Sequence, residues 1–496
     1  MNSDDNRSMR SLIFSGMMWK FLERILAQGV SFMVSVILAR ILMPEDYGLV
    51  ALVMIFINLA NVFVVGGFST ALIQKRDAND VDFSTNFYCS LALSVLIYAA
   101  LFFVAPWISD FYSIPKLTPV LRVFALRLPI SSVSAIQHAY VERHMIFKRY
   151  FFSTLFGTVL SGLVGIVLAY QGFGVWALIA QYFTNTIVDI LVLGITTPWR
   201  PRLLFSWGSA RVMMRYGWKI LAASLSGTFF NQLRSLLIGR VYTPVDLAYY
   251  DKGNQFPSLF RNNLSASVMA VLFPAIANIS DDMGRVKSMT RRAVRISAYL
   301  VFPLLFGLAA IAEPLVLLLL TEKWELSIPF VRILSVSAAI GFVGEASLQA
   351  LSAIGRSDVI LKLEIIKKPF YLLFLIVGIQ ISVTGVAVTM LLYCVYATAA
   401  NARPLSQYIG YTYREQAVDL GVPFLLSCGM SAVICLSSLL SLPVLGSLLF
   451  QIFTGAAFYV GVSWILKADS LFYLLDFLHE KIGNHRKGDS TPEVLE

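Results

Sequence analysis

ARILMPEDYG (39–48) returns 200 residues later as GRVYTPVDLA (239–248), with Arg40, Pro44 and Asp46 in register with Arg240, Pro244 and Asp246. The same order continues downstream. PVLRV at Pro119 answers to PFVRI at Pro329, which aligns Arg122 with Arg332. Gln137 then pairs with Gln349, and GVWAL at Gly174 loosely matches GVAVT at Gly385. The offset drifts slowly, as small loop insertions produce, so the chain reads as an internal duplication. Six apolar stretches lie within one offset. An even number of crossings returns the chain to its starting side, so the two copies share one orientation. They should be related by an axis along a membrane normal.

That membrane follows from composition. Of 496 residues, 57% are hydrophobic and only 14% are charged, against about a quarter in ordinary soluble domains. So few charges cannot cover a soluble surface of this size. Fourteen apolar stretches of spanning length are readable, near 13–41, 47–73, 87–108, 119–141, 150–170, 173–197, 217–241, 246–277, 293–320, 328–354, 358–380, 384–402, 420–441 and 443–466. The expected fold class is an all-α polytopic membrane protein of about fourteen transmembrane helices. Two six-helix bundles in parallel pseudo-repeat, 1–200 and 201–415, are followed by two extra transmembrane helices in 416–467. A cytoplasmic tail, 468–496, closes the chain. Its segment SLFYLLDFLHEKIGN (470–484) suits an amphipathic surface helix. In the opening segment, Lys20, Glu23 and Arg24 interrupt the apolar run and no small-residue cleavage site follows, so it reads as the first span and not as a signal peptide.

The basic residues test the count. Most of the 39 fall in every second loop: Lys75 and Arg76, Arg143 to Arg149, Arg200 to Lys219, Arg285 to Arg295, Arg356 to Lys368, Arg403 and Arg414, and the tail. The opposite loops hold only Lys116 and Lys323. This is the positive-inside pattern with both termini cytoplasmic. The net charge of +10 is therefore topology, and no nucleic-acid partner is implied. All eight tryptophans stand near span ends, where an aromatic belt forms.

Charges inside spans single out the candidate site, because each costs at least a few kcal/mol unless it meets water or a partner. Arg234 in NQLRSLL and Arg261 in FPSLFRNNLSAS have no acidic residue within one turn on their own helices. They are the leading anion-binding candidates, with Lys252, Arg127 and Arg24 beside them. Lys20 can pair with Glu23 on one helix face or line a cavity. Arg122 and Arg332 lie close enough to span ends to snorkel. Arg40 with Asp46, and Arg240 with Asp246, read as turn caps or salt bridges. The cations outnumber the acids in the spans, where Glu23, Asp189, Glu345 and Glu364 are the candidates for ion coupling. A pathway rich in Arg and Lys suits an anionic, phosphate-bearing substrate.

Catalytic signals are absent. No GxxxxGK[ST] or HExxH motif occurs, and no catalytic residue, metal site or cofactor is predicted. The four cysteines, Cys89, Cys394, Cys428 and Cys435, sit in apolar stretches and read as buried hydrophobes. His138, His144, His479 and His485 fall at helix ends or in the tail. A membrane-bound transferase or ligase would need a sizeable outer loop, and the loops are short. A scaffold for a synthesis complex is a further alternative.

LARILMPEDYGLVAL (38–52), GGFSTALIQKRD (66–77), LFPAIANISDD (272–282) and TEKWELSIPFVRIL (321–334) together resemble bacterial polysaccharide flippases. The resemblance is to the Wzx-type, colanic-acid-exporter-like branch of the multidrug/oligosaccharidyl-lipid/polysaccharide (MOP) superfamily, over about residues 10–415. It implies a MATE-like, V-shaped transporter in the bacterial cytoplasmic membrane, with alternating access around a cationic central cavity. The implied substrate is an undecaprenyl-pyrophosphate-linked oligosaccharide, exported for capsule, exopolysaccharide or O-antigen synthesis. A polysaccharide polymerase and other envelope-assembly proteins are the implied partners. The family's cavity cations on helix two have no counterpart here, where Asn58 and Asn61 are the polar residues. Helices thirteen and fourteen either form a groove for the lipid tail or face bulk lipid. A MATE-like drug or cation antiporter of the same superfamily is the alternative, and predicts a deep acidic residue in the first bundle.

Overall fold

A computed structural model describes residues 3–65, 72, 79–279, 281–440 and 442–473. Within them the chain is all helical and without strands. The first unit, Met1–Ala248, holds α1 (Ser3–Ile41), α2 (Pro44–Val65), α3 (Asp80–Tyr112), α4 (Leu117–Ala125), α5 (Arg127–Arg143), α6 (Phe147–Tyr170), α7 (Val175–Thr196) and α8 (Trp207–Val241). Helix α9 (Pro244–Ala277) begins in it. The second unit, Tyr249–Glu496, takes the rest of α9, then α10 (Met283–Ala310), α11 (Ala312–Leu320), a 3-10 turn (Glu322–Ser327), α12 (Ile328–Ala353), α13 (Ser357–Ile381), α14 (Val383–Pro404), α15 (Tyr413–Ser437) and α16 (Val444–Ile465). Compact packing thus divides the chain after Ala248, later than the bundle end expected at 200, because α8 packs on α2 and α3.

Eleven described segments are long and apolar enough to cross a membrane. The stretches 217–241, 246–277 and 358–380 also lie in long helices, but they carry the polar and charged groups singled out above, and fall below that measure. Two expected spans are interrupted. The stretch 119–141 is split at Leu126 into α4 and α5, and 293–320 is split at Ile311 into α10 and α11. Each break lies three residues before a proline, Pro129 or Pro314. A proline lacks the N–H, and its ring clashes with the carbonyl four residues back, here Ala125 or Ala310.

In the first unit Val34 and Leu38 of α1 pack with Val50 of α2, Ala169 of α6 and Leu178 of α7. A second cluster joins Phe83 and Phe87 of α3, Ile136 of α5, Trp199 and Met213. The two repeated turns meet there. A Cβ on Gly48 would stand 2.2 Å from the Pro244 carbonyl oxygen, and one on Gly239 would stand 2.3 Å from a Leu52 methyl. Only glycine permits this approach. Asp46 and Asp246 cap the starts of α2 and α9: the Met43 N–H donates to Asp46 at 3.4 Å, and the Thr243 N–H and hydroxyl donate to Asp246 at 3.1 and 2.6 Å. Turn capping is therefore the role of these acids.

In the second unit Leu272, Ile276, Val286, Leu351 and Tyr411 form a core cluster. The tryptophan belt needs correction at two positions. Trp324 is fully buried against Tyr249, and Trp199 is buried between Phe83 and Phe87. Trp107, Trp207, Trp218 and Trp464 are exposed as the belt requires. Most of the expected tail helix, and the Lys75–Arg76 loop, lie outside the described residues.

Candidate functional site

Helix α7 has a polar middle, Gln181 to Asp189, in which Tyr182, Thr186 and Asp189 recur at spacings of four and three and stack on one face. That face meets α5 and α6. At its upper end the Arg127 Nε donates to the Thr186 hydroxyl at 2.8 Å, and its guanidinium carbon lies 5.4 Å from the Tyr182 ring centroid. The break at Leu126 is what sets Arg127 at this joint. Among the described residues no carboxylate pairs with it. One helical turn below, the Ser153 hydroxyl of α6 donates to Asp189, and His138 Nε2 of α5 stands 2.9 Å from the other carboxylate oxygen. The Tyr150 ring lies edge-on to His138, with centroids 5.0 Å apart. Glu23 of α1 sits among Lys20, Arg24 and His138.

His138 therefore does not mark a helix end; it pairs with the one acid of α7 inside a span. The sequence held a signal for this, the acid Asp189 at helical spacing from Tyr182 and Thr186. The partner on α5 is a long-range pairing that no local pattern announces. Lys20 reaches across to Glu142 at 3.7 Å and lies over the Phe147 ring at 4.7 Å, so its ion-pair partner is on another helix. Arg122 donates to the Phe102 carbonyl at 3.0 Å and stacks on that ring at 4.2 Å. It is packed, not snorkelled. Arg234 is partly buried on α8.

In the second unit Lys252 of α9 is buried, with its ammonium 5.6 Å from the Trp324 ring centroid. Arg261 and Glu345 both lie within electrostatic reach of Cys394, and the Ser265 hydroxyl donates to Glu345 at 2.7 Å. Lys367 is buried and bonds Glu364 at 2.5 Å and the Asn401 side-chain oxygen at 3.1 Å. Glu364 is thus held in an ion pair. Arg332 pairs with Glu313 at 2.9 Å on an exposed face, which makes it a surface bridge.

The repeat organises these two sets. An offset of 212 carries 182, 186 and 189 of α7 onto Cys394, Thr398 and Asn401 of α14. Thr398 and Cys394 donate to carbonyls of α12, as Asn401 does to Gly344. The same face thus packs on the same neighbour in both copies, with Asp189 replaced by a neutral amide. Among the described residues no group of three or more His, Cys, Asp and Glu side chains is placed to hold a metal ion.

Comparison with known proteins places this architecture. Residues 37–329 match the family described as "Polysaccharide biosynthesis protein". The chain is 25% identical over 342 residues to the succinoglycan biosynthesis transport protein ExoT of Rhizobium meliloti (strain 1021), covering 69% of each chain. It is 25% identical over 432 residues to the lipopolysaccharide biosynthesis protein WzxC of Escherichia coli (strain K12), covering 85% of this chain and 86% of the relative. Among solved structures, the lipid II flippase MurJ in an inward closed conformation superposes with a TM-score of 0.73 at 16% identity, covering 92% of this chain and all of that one. An inward-facing multidrug resistance MATE family transporter of the MOP superfamily gives 0.56 at 16% identity, over 79% and 99% of the two chains. These likenesses bear out the all-helical, MOP-type fold and the resemblance to Wzx-type flippases.

Proposed function

Because this chain belongs to the polysaccharide biosynthesis protein family, we propose that it is a flippase that carries a polyprenyl-diphosphate-linked oligosaccharide across the bacterial cytoplasmic membrane for surface polysaccharide synthesis. It acts as a transporter and not as an enzyme, with both termini in the cytoplasm. The sugar diphosphate crosses through a hydrated cationic pathway while the polyprenyl tail stays in lipid, which avoids the cost of moving a charged headgroup through hydrocarbon. The bundles 1–200 and 201–415 rock between inward and outward states, whose populations differential substrate affinity sets. The polymerase that consumes the exported unit is the expected functional partner.

The observation that supports this reading is Arg127. Its guanidinium stands within a span against neutral partners, Thr186 and Tyr182, and is thus available to a ligand carrying phosphate oxygens. Arg24, Arg234, Lys252 and Arg261 are assigned to the same pathway. Complementation of an exporter-deletion strain tests it. Arg127→Gln, and Arg234→Gln with Arg261→Gln together, should stop surface polymer formation while the lipid-linked unit accumulates. Undiminished export by both variants would refute the anion pathway.

The pair His138–Asp189, with Glu23 nearby, is assigned to proton coupling, since an imidazole and a carboxylate 2.9 Å apart can share and release a proton. The same pair favours a second reading, a MATE-like cation antiporter, which calls for an acid deep in the first bundle. The two separate cleanly: loss of the gene should abolish a surface polymer in the first case and drug resistance in the second.

A further inference from the structure

In the second unit, α10 and the turn that follows α16 line an open cavity of about 920 Å³, and an adjoining one of about 420 Å³ reaches to α15. Arg291, Arg295 and Lys467 line both. We propose that this cavity seats the headgroup of an anionic phospholipid of the cytoplasmic leaflet.

The charge balance carries the argument. Asp419 is almost fully buried and accepts from Arg291 at 2.5 and 3.1 Å and from Arg295 at 2.8 Å. Arg295 also bonds Asp469 at 3.0 Å, and Lys287 bonds Glu415 at 2.8 Å. Three carboxylates thus hold three cations. Two cations are left over, Arg292 and Lys467, which form no ion pair among the described residues. Arg292 stacks on the Tyr473 ring at 3.8 Å, which occupies the face of the guanidinium and not its N–H donors.

The backbone sets where Lys467 stands. The Lys467 N–H donates to the Trp464 carbonyl and the Ala468 N–H to the Ser463 carbonyl, a Schellman close for α16. This places Lys467 in the left-handed region, with φ of 49°, at a position that lines both cavities.

The cavity is amphipathic. Ile296 and Phe472 line it beside the arginines, and Val418, Val422 and Leu466 of the adjoining space are exposed. Acyl chains fit that wall. Arg292 lies in the basic first turns of α10 and Lys467 just after the end of α16, both on the side that the positive-inside pattern assigns to the cytoplasm. A basic pocket between spanning helices on that side suits a phosphodiester headgroup. Two surplus cations match the two phosphates of cardiolipin or two molecules of phosphatidylglycerol, whereas zwitterionic phosphatidylethanolamine offers no net charge to meet them.

Native mass spectrometry of the purified full-length protein tests this with cardiolipin, phosphatidylglycerol and phosphatidylethanolamine supplied together. Cardiolipin and phosphatidylglycerol should be retained over phosphatidylethanolamine. Arg292→Gln and Lys467→Gln should each weaken retention roughly fivefold, and the double variant at least tenfold. Arg292→Lys with Lys467→Arg should retain the lipid, and Lys116→Gln should behave as wild type. Equal retention of all three lipids, or no change in the double variant, overturns the assignment. So does displacement of bound cardiolipin by equimolar undecaprenyl diphosphate, which would transfer the site to the transported lipid. Export is not read in this experiment, so its outcome and that of the flippase reading stand apart.

Discussion

Asp189 of α7 and Asn401 of α14 hold the same position in two copies of one repeat, and the difference between them sets a charged contact in one copy against a neutral one in the other. Asp189 accepts from Ser153 and faces His138, so two ionisable groups meet in a span of the first unit. Asn401 accepts from Lys367 and donates to the Gly344 carbonyl at 3.4 Å. Its amide satisfies both neighbours without a charge of its own, and Glu364 balances the lysine. Duplication supplied the same helix–helix packing twice. At this position only the first copy carries a carboxylate, which the proposed proton coupling needs and a packing contact does not.

Making the first copy like the second should have the largest effect. Asp189→Asn should lower polymer export by about a hundredfold or more, the scale of a lost proton-transfer group. Its thermal unfolding should change little, because an amide oxygen still accepts from Ser153. Wild-type export by this variant would erase the distinction between the copies. Lys367→Met attacks the second copy. It strips Glu364 and Asn401 of a charge-assisted partner and should cost about 2 kcal/mol of stability, read as a fall in melting temperature in detergent. An unchanged melting point would show that the lysine is not structural. His138→Gln should reduce export roughly tenfold and leave the melting point near wild type, because a glutamine can still donate to Asp189 but cannot carry a proton. The mildest test compares the repeated turns. Asp246→Ala removes an acceptor of two bonds from Thr243 and should cost about 1 kcal/mol, also seen as a small drop in melting temperature.

Much of this was legible before any coordinates. Apolar length located eleven of the fourteen expected spans among the described residues, because hydropathy is a pattern local to each helix. The proline breaks were readable in principle from Pro129 and Pro314, but hydropathy runs straight through them. The site divided differently. Arg127, Asp189 and Lys252 stood out because a charge in an apolar run is conspicuous alone. His138, Ser153 and Asn401 did not, since their importance lies in what faces them from helices distant in sequence. Asp419 is a related case. It lies just before the charge-free stretch 420–466 with no local pattern to mark it, yet it is the buried anion that fastens Arg291 and Arg295.

The split of the fourth span at Leu126 has a consequence for solvation. An unbroken helix satisfies its peptide groups internally, which hydrocarbon demands. At this joint the ladder is interrupted, and the Leu126 N–H falls back on the Val123 carbonyl. Peptide groups that lose their ladder partner in hydrocarbon need water or a side chain instead, and Arg127 is the next residue in the chain. Deuterium uptake should accordingly be faster at the amides of 126–128 than midway along the uninterrupted α6, marking a wet, pliable notch within an otherwise dry wall.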